Sequence, residues 1–454
     1  MQPITLAEVL AARDKRYALQ QQLLKEFHTP ILSFSMNIPG PVKDTPLIRR
    51  AYRWGCFSIE AALKKHGLPI LYEKETLAPT GCEIIYAVDG EPELIKQLCL
   101  SIEDGTPVGR LFDMDVLTAS GEKLDRAQFQ KPERGCIVCG APGRGCASRR
   151  VHTVAELQEA TRSILNAHVR ATDPIDTARR VTAALLAEVY TTPKPGLVDR
   201  RNTGSHRDMD IETFRRSANA LQPYWETCMR IGMDTASAPA PETFLQLRTA
   251  GRAAEATMYE ATNGVNTHKG AIFLLGILCG AIGRLWRPER PYASIPALFT
   301  ESRAMTHNVL DAELRAFAED PTQIRTTGQK LYVQHGIAGA RGEAANGFPS
   351  VQNVALPVFQ KAKAQGFDDN DAGVVALLSL MAQGTDTNMI ARGGMDLAKA
   401  AADEAKDLLS RGFSLSKQAI EAFDDRMIVQ NLSPGGCADL LAVTLFVNAL
   451  PQEV

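Results

Sequence analysis

Beyond Ile175 the apolar alternation that marks strands disappears, and almost every segment to the end has helical period and is rich in Ala, Leu, Met and Glu. That change of pattern constrains the fold more than any single motif. A chain that alternates in its first third and nowhere later divides into domains of different class. With 454 residues it is also too long for one hydrophobic core. The expectation is a mixed α/β or α+β domain over residues 1–172, followed by an all-α domain of many packed helices over residues 173–454.

In the first domain, helical spacing covers Thr5 to His28 and Leu47 to His66, and a further helix is expected over Pro92 to Ile102. Strands are expected at Ile31 to Asn37, Glu83 to Val88 and Val108 to Leu117. A helix over Val154 to His168 should end before Asp173-Pro174, which places the domain boundary between His152 and Ile175. Asp113 and Asp115 lie two apart on an expected strand, so both carboxylates face one side. Two such carboxylates are costly together unless a cation joins them, and Mg²⁺ with a triphosphate is the usual solution. An ordinary solvent-facing strand would carry the same pair. Cys136, Cys139, Cys146 and His152 have the spacing of a tetrahedral Zn²⁺ site, the alternative being a basic, glycine-rich loop whose cysteines merely pack.

The second domain is interrupted by five short polar clusters. Thr191 to Asp210 combines two prolines and two glycines with phosphate-binding groups (Lys194, Arg200, with Asn202) and with metal- or proton-binding groups (Asp199, His206, Asp208, Asp210). Asn266, Thr267, His268 and Lys269 precede an apolar helix, a natural anion seat. Arg341 and Glu343 form the third cluster, Asp386, Asn388 and Arg392 the fourth, and Ser433 to Asp439, with Gly435 and Gly436, the last. Each alone reads as a helix cap or turn; five of one composition in one domain point to a shared polar centre. No phosphate-binding P-loop or dinucleotide fingerprint appears, so ATP would be held differently.

Composition narrows the rest. A net charge of −2 argues against general nucleic-acid binding, and no apolar run is long enough to span a bilayer. The longest, Gly270 to Leu285, fits a buried helix better. Nine scattered cysteines and a start without a signal-peptide pattern suggest a cytoplasmic protein.

The blocks T-P-K-P-G-L-V-D-R-x-N-x-G-S-H-x-D-M-D, G-V-N-T-H-K-G, G-A-R-G-E-A-x-x-G-F, the D-x-N and R-G-G pair, and S-P-G-G-C-A-D-L-L-A occur in order from about Thr182 onward. They resemble the triphosphoribosyl-dephospho-CoA synthase family of citrate lyase maturation. More diffusely, N-x-P-G-P-x-K at Asn37 to Lys43, G-R-L-F-D-M-D-V and the Arg/Cys/His region from Arg134 resemble the apo-citrate lyase phosphoribosyl-dephospho-CoA transferase family. The resemblance implies a bifunctional fusion with a nucleotidyltransferase-like first domain. Its second domain would make triphosphoribosyl-dephospho-CoA from ATP and dephospho-CoA, releasing adenine. Its first would pass the group to a serine of the apo acyl carrier subunit of citrate lyase, releasing pyrophosphate.

On that basis Asp199, His206, Asp208, Asp210 and Glu343 are candidates for catalysis, and Asp208, Asp210 and Asp386 for Mg²⁺. Lys194, Arg200, Lys269, Arg341 and Arg392 would take phosphate. In the first domain Asp113 and Asp115 would hold Mg²⁺, with Lys43, Arg50 and Arg110 neutralising the triphosphate. The rival readings are a synthase with a non-catalytic carrier-docking module in front, and a nucleotide-binding regulator without turnover.

Overall fold

The structure, a computed structural model, describes residues 3–320, 322, 324–325, 327–410 and 416–451. The chain divides into two compact units, Met1–Thr172 and Asp173–Val454.

In the first unit, helix α1 (Leu6–Phe27) opens on a Thr5/Glu8 capping box and leads into strand β1 (Ile31–Met36). Helix α2 (Pro46–Lys65), strands β2 (Ile70–Ala78) and β3 (Gly81–Val88), helix α3 (Pro92–Gly105) and strand β4 (Phe112–Leu117) follow. The sheet order is β2-β3-β1-β4 and every pairing is antiparallel, so the unit is α+β rather than α/β. Strand β2, at one edge of the sheet, is absent from the strands expected above because of its charges. Glu73, Lys74 and Glu75 are exposed there, and charge on an edge erases the apolar alternation while discouraging stray pairing.

The strand expected from Val108 begins only at Phe112. Pro107–Leu111 is a 3-10 turn, with Gly109 packed so closely on the Glu103 carbonyl that a Cβ would overlap it. One sheet face takes Leu23 and Leu24 of α1 onto Ile31, Ile85, Ala87 and Leu117. On the other, Phe34 stacks on Tyr52 and meets Phe112 edge-on, and Gly55 makes room for its ring.

After a short helix α4 (Gly143–Arg149), α5 runs unbroken from Val154 to Tyr190 with Pro174 inside it. The expected helix from Val154 is present, but the expected break at Asp173-Pro174 does not occur, and the boundary between the units falls within the helix. A helical proline gives up one hydrogen bond and costs about 3 kcal/mol. Side-chain anchors directly around it offset that cost: Trp286 Nε1 donates to Asp173 Oδ2 at 2.6 Å, and the Thr177 and Tyr292 hydroxyls meet at 3.1 Å.

The second unit continues through α6 (Ile211–Ala220), α7 (Gln222–Asp234), α8 (Ala240–Ala261), α9 (Lys269–Leu285), α10 (Ile295–Glu319), α11 (Thr327–His335) and α12 (Gly339–Ala345). It ends with α13 (Leu356–Ala364), α14 (Asp369–Met381), α15 (Thr387–Ser410, bent at Gly394), α16 (Lys417–Val429) and α17 (Gly435–Asn448). The apolar run beginning at Gly270 is the central helix α9, buried almost throughout from Ala271 to Gly283. It lies against α7 at backbone distance: a Cβ on Gly232 would overlap the Gly280 carbonyl. No described helix is long and apolar enough to cross a membrane.

Candidate active site

The segment after α5 is charged in sequence yet enclosed by the fold: Pro193 to Asp199 is buried throughout. A buried irregular backbone must find partners for its polar groups, and here two aspartates supply them. Asp199 accepts from the backbone N–H groups of Lys194 (2.8 Å), Arg201 (2.7 Å) and Asn202 (3.1 Å). Asp424 on α16 accepts from Gly196 N–H (2.8 Å), Arg201 Nη1 (2.6 Å) and Asn202 Nδ2 (2.7 Å). Gly196 is required, since its φ is +72° and a Cβ would run into the Leu432 carbonyl. The segment is thereby a rigid wall.

That wall borders a cavity of about 830 Å³. Four of the other breaks in the helical pattern open onto the same space. Asn266, Thr267, His268 and Lys269 line it at the start of α9, Glu343 on α12, Asp386, Asn388 and Arg392 around the start of α15, and Gly435 and Gly436 at the start of α17. Lys194, His206 and Asp208 line it from the wall. The N-termini of α9, α15 and α17 therefore direct their dipoles at one volume, with Asn266 accepting from Lys269 N–H at α9 and Asp386 taking N–H groups at α15 and α17.

Five expected residues do not line the cavity. Asp199 and Asn202 are engaged in holding the wall. Arg200 lies over the Tyr190 ring, 5.2 Å from its centroid. Asp210 is the N-cap of α6, accepting from Thr213 N–H at 2.8 Å. Arg341 stands near Lys269 without reaching the lining. Conversely Glu188 and Asp439 line the cavity and are not among the site residues expected from sequence. Asp439 sits inside one of the five clusters; Glu188 is a lone carboxylate in an apolar helical run six residues before Lys194, which was the available signal.

The cavity gathers carboxylates in differing states. Buried Glu188 is ion-paired with buried Lys194; desolvation raises its pKa and Lys194 opposes the rise. Asp386 is fixed by N–H groups of Asn388 (2.8 Å), Met389 (2.9 Å) and Cys437 (2.8 Å), and burial raises its pKa. Asp439 is pushed well above the usual carboxylate range, first by burial and then by the charges of Glu188 and Asp386. Burial also raises Glu343, whose two oxygens take Ser350 Oγ at 2.7 Å and Ser350 N–H at 3.2 Å. Asp208 is exposed and makes no hydrogen bond or ion pair among the described residues.

Two histidines are held neutral. Burial and then Arg392 lower His206, whose Nδ1 faces Arg392 Nη2 at 3.4 Å. An arginine can only donate, so the proton sits on Nε2, 2.9 Å from Ser433 Oγ. Burial and then Lys194 push His268 down to about 3, with Nδ1 2.7 Å from Ser217 Oγ. In the unfolded chain its imidazole takes a proton near 6.5, so between there and about 3 the unfolded state binds more protons. This contribution therefore weakens folding as pH falls through that window. His268→Gln is expected to flatten the decline in melting temperature between about pH 6.5 and 4; identical slopes would contradict the assignment.

In the first unit Asp113 and Asp115 share the α1 face of the sheet, opposite Ser35 and Ser33. The cations acting on these carboxylates are other than the three assigned above to the triphosphate. Lys123 pairs with Asp115 at 2.6 Å, and Lys123, Arg134 and Arg16 all act on Asp113, whose pKa burial and Asp115 raise. Lys43 donates to the Ile38 carbonyl and Arg110 to the Gly135 carbonyl, and neither bonds to the aspartates. Arg50 stands by His168, which burial and that guanidinium push down to about 4. Cys136, Cys139, Cys146 and His152 form a group whose ligand atoms all lie within 4.8 Å of one another.

Mg²⁺ typically takes one or two protein carboxylates and fills its sphere with water and substrate phosphates. The second unit fits that pattern: an unpaired Asp208 faces a volume onto which three helix N-termini open, and no ready cage of three carboxylates occurs among the described residues.

Two family models match the chain. One, described as ATP:dephospho-CoA triphosphoribosyl transferase (CitG), covers residues 174–454; the other, apo-citrate lyase phosphoribosyl-dephospho-CoA transferase (CitX), covers residues 4–168. Protein CitXG of Haemophilus influenzae is 34% identical, over 98% of this chain and 96% of its own length. Protein CitXG of Leuconostoc mesenteroides subsp. cremoris is 32% identical, over 98% of this chain and 97% of its own. The 2-(5''-triphosphoribosyl)-3'-dephosphocoenzyme-A synthase of Pectobacterium atrosepticum is 44% identical, over 64% of this chain and 95% of its own.

Proposed function

The chain belongs to the CitXG family, and from that premise we propose how its own residues carry out the two reactions. It is a bifunctional transferase. Its CitG part is a triphosphoribosyl-dephospho-CoA synthase, and its CitX part modifies apo-citrate lyase.

In the synthase reaction ATP gives up adenine, and a ribose hydroxyl of dephospho-CoA takes its place. The N-glycosidic bond breaks with its electron pair leaving on adenine, a C–O bond forms at the same carbon, and the hydroxyl proton must be removed. Glu343 is our candidate base. It lines the cavity, Ser350 orients it, and burial lifts its pKa toward the working range of a base. Asp439, shifted further in the same direction, is suited to give a proton to the departing adenine.

The triphosphate is assigned to the N-termini of α9 and α17 with Lys269 and Arg392. Asp208 would share Mg²⁺ with phosphate oxygens and water, the ion supplying charge neutralisation and orientation. His206 and Asp386 shape the site; their hydrogen bonds are already committed. The observation that carries this reading is the convergence of five separated polar clusters on one cavity.

In the second reaction a serine hydroxyl of the apo acyl carrier would attack the α-phosphate, forming the Ser O–P bond and expelling pyrophosphate. Asp113 and Asp115 are the carboxylates suited to Mg²⁺ there, once Asp115 exchanges Lys123 for the ion. Nine unbridged cysteines favour a cytoplasmic setting.

The test is incubation of the full chain with ATP, Mg²⁺, dephospho-CoA and the apo carrier, following adenine by chromatography and the carrier by mass spectrometry. Adenine should appear only with dephospho-CoA present, and the carrier should gain one phosphoribosyl-dephospho-CoA. Adenine without the acceptor would mean a hydrolase, and no adenine at all would leave only a binding protein. Adenine with an unmodified carrier would reduce the first unit to a docking module.

A further inference from the structure

Residues 131–152 fold without an apolar core. Between Leu124 and Leu165 the only buried apolar side chain among the described residues is Cys146. The segment is nonetheless tightly ordered. Cys136 N–H donates to the Ala141 carbonyl at 2.6 Å, Gly140 N–H to the Cys136 carbonyl at 2.9 Å, and Gly135 bridges to Pro142. Gly140 turns the hairpin at φ +74°, and a Cβ on Gly135 would stand 2.5 Å from the Gly140 carbonyl. A small segment with this backbone order and so little buried apolar surface among its described residues needs another staple.

We infer that one Zn²⁺, held by Cys136, Cys139, Cys146 and His152, is that staple. The ligands come from three places: the hairpin turn, α4, and the residue before the Thr153 cap of α5. Cys139 Sγ lies 3.5 Å from Cys146 Sγ, and Cys146 Sγ lies 3.9 Å from His152 Nε2. Tetrahedral zinc, with bonds near 2.3 Å to sulfur and 2.0–2.1 Å to nitrogen, separates its ligand atoms by about 3.5–3.8 Å. A disulfide would need about 2.05 Å. Val138 N–H points at Cys136 Sγ from 3.5 Å, placing a donor on the sulfur that would carry thiolate charge.

Three thiolates and an imidazole fill a tetrahedron, so the ion has no open position and its role is structural. What it fixes is specific. Arg134, next to the hairpin, pairs with Glu103 at 3.0 Å and donates at 2.6 Å to the carbonyl of Phe112, one residue from Asp113. The zinc unit thereby fixes a cation whose charge acts on Asp113 of β4.

The full chain, purified without chelator, should carry about one zinc per molecule by plasma mass spectrometry, and Cys136→Ser/Cys139→Ser should carry less than about a tenth of that. His152→Cys should keep the metal. Should the double variant misfold, the chelator-treated wild-type chain decides the matter: Co²⁺ titration should produce the intense visible bands of a tetrahedral thiolate site, saturating at one equivalent and reversed by Zn²⁺. A purified chain free of metal that shows no such bands overturns the inference, and so does iron at the same four ligands.

Discussion

Asp424→Ala is expected to destabilise the helical unit by about 3–5 kcal/mol, the cost of breaking a buried charged pair by removing one partner. Asp424 is fully buried, and its two oxygens serve the Gly196 N–H, the Arg201 guanidinium and the Asn202 amide. Alanine leaves the Gly196 and Asn202 donors without this acceptor and Arg201 with only its pair to Asp425. Asn202 and Arg201 can turn toward water, since both reach partly exposed positions or partners; Gly196 N–H, under Leu432, cannot. Asp424→Asn keeps one acceptor oxygen and should cost distinctly less. The measurement is the denaturant midpoint of the far-ultraviolet transition. A shift equivalent to under about 0.5 kcal/mol, the level of an indifferent surface change, would show that the wall holds itself.

Glu343→Gln should slow adenine formation by about 10²–10⁴-fold, the usual contribution of a positioned base. Glutamine preserves the shape and can still accept from Ser350 through its carbonyl, so the fold and ATP binding should survive. The loss should appear in kcat, with KM for ATP little changed, because a base acts on the transition state. Ser350→Ala, which only frees the carboxylate to wander, should do less harm. Equal activity of Glu343→Gln and the parent protein would move the base elsewhere in the cavity, Asp208 and Asp439 being the remaining carboxylates that are neither ion-paired nor saturated by backbone.

Much of this was legible from residue order alone, for definite reasons. Helical period and the loss of alternation after Ile175 are local properties, so the division into a mixed unit and a helical unit could be read directly. Pairing direction is not local, so the antiparallel order of the sheet could not be. Edge strand β2 hid behind its exposed charges, and the helix through Pro174 survives on contacts with Trp286 and Tyr292 more than a hundred residues away.

In the cavity the polar clusters announced themselves by composition, but their division of labour did not. Asp199 and Asp210 carry the same side chain as Asp208, yet one ties down backbone and another caps a helix. Asp424 was invisible as one of two adjacent aspartates, Asp424-Asp425, in an ordinary amphipathic run. Around Asp113 and Asp115 the cations that act on the carboxylates could not be read in advance, because Lys123 and Arg134 reach the strand only through tertiary folding.

The tie between Gly196 and Asp424 spans 228 positions. Its consequence concerns synthesis on the ribosome. The segment that emerges at the start of the helical unit must wait for nearly the last of it before its buried amides find their acceptors, and α17 must follow to complete the rim. Contacts of such long range form slowly. A nascent chain would therefore carry a finished first unit well before it could bind a nucleotide in the second, and capacity to make the prosthetic group would arrive only once α17 has emerged.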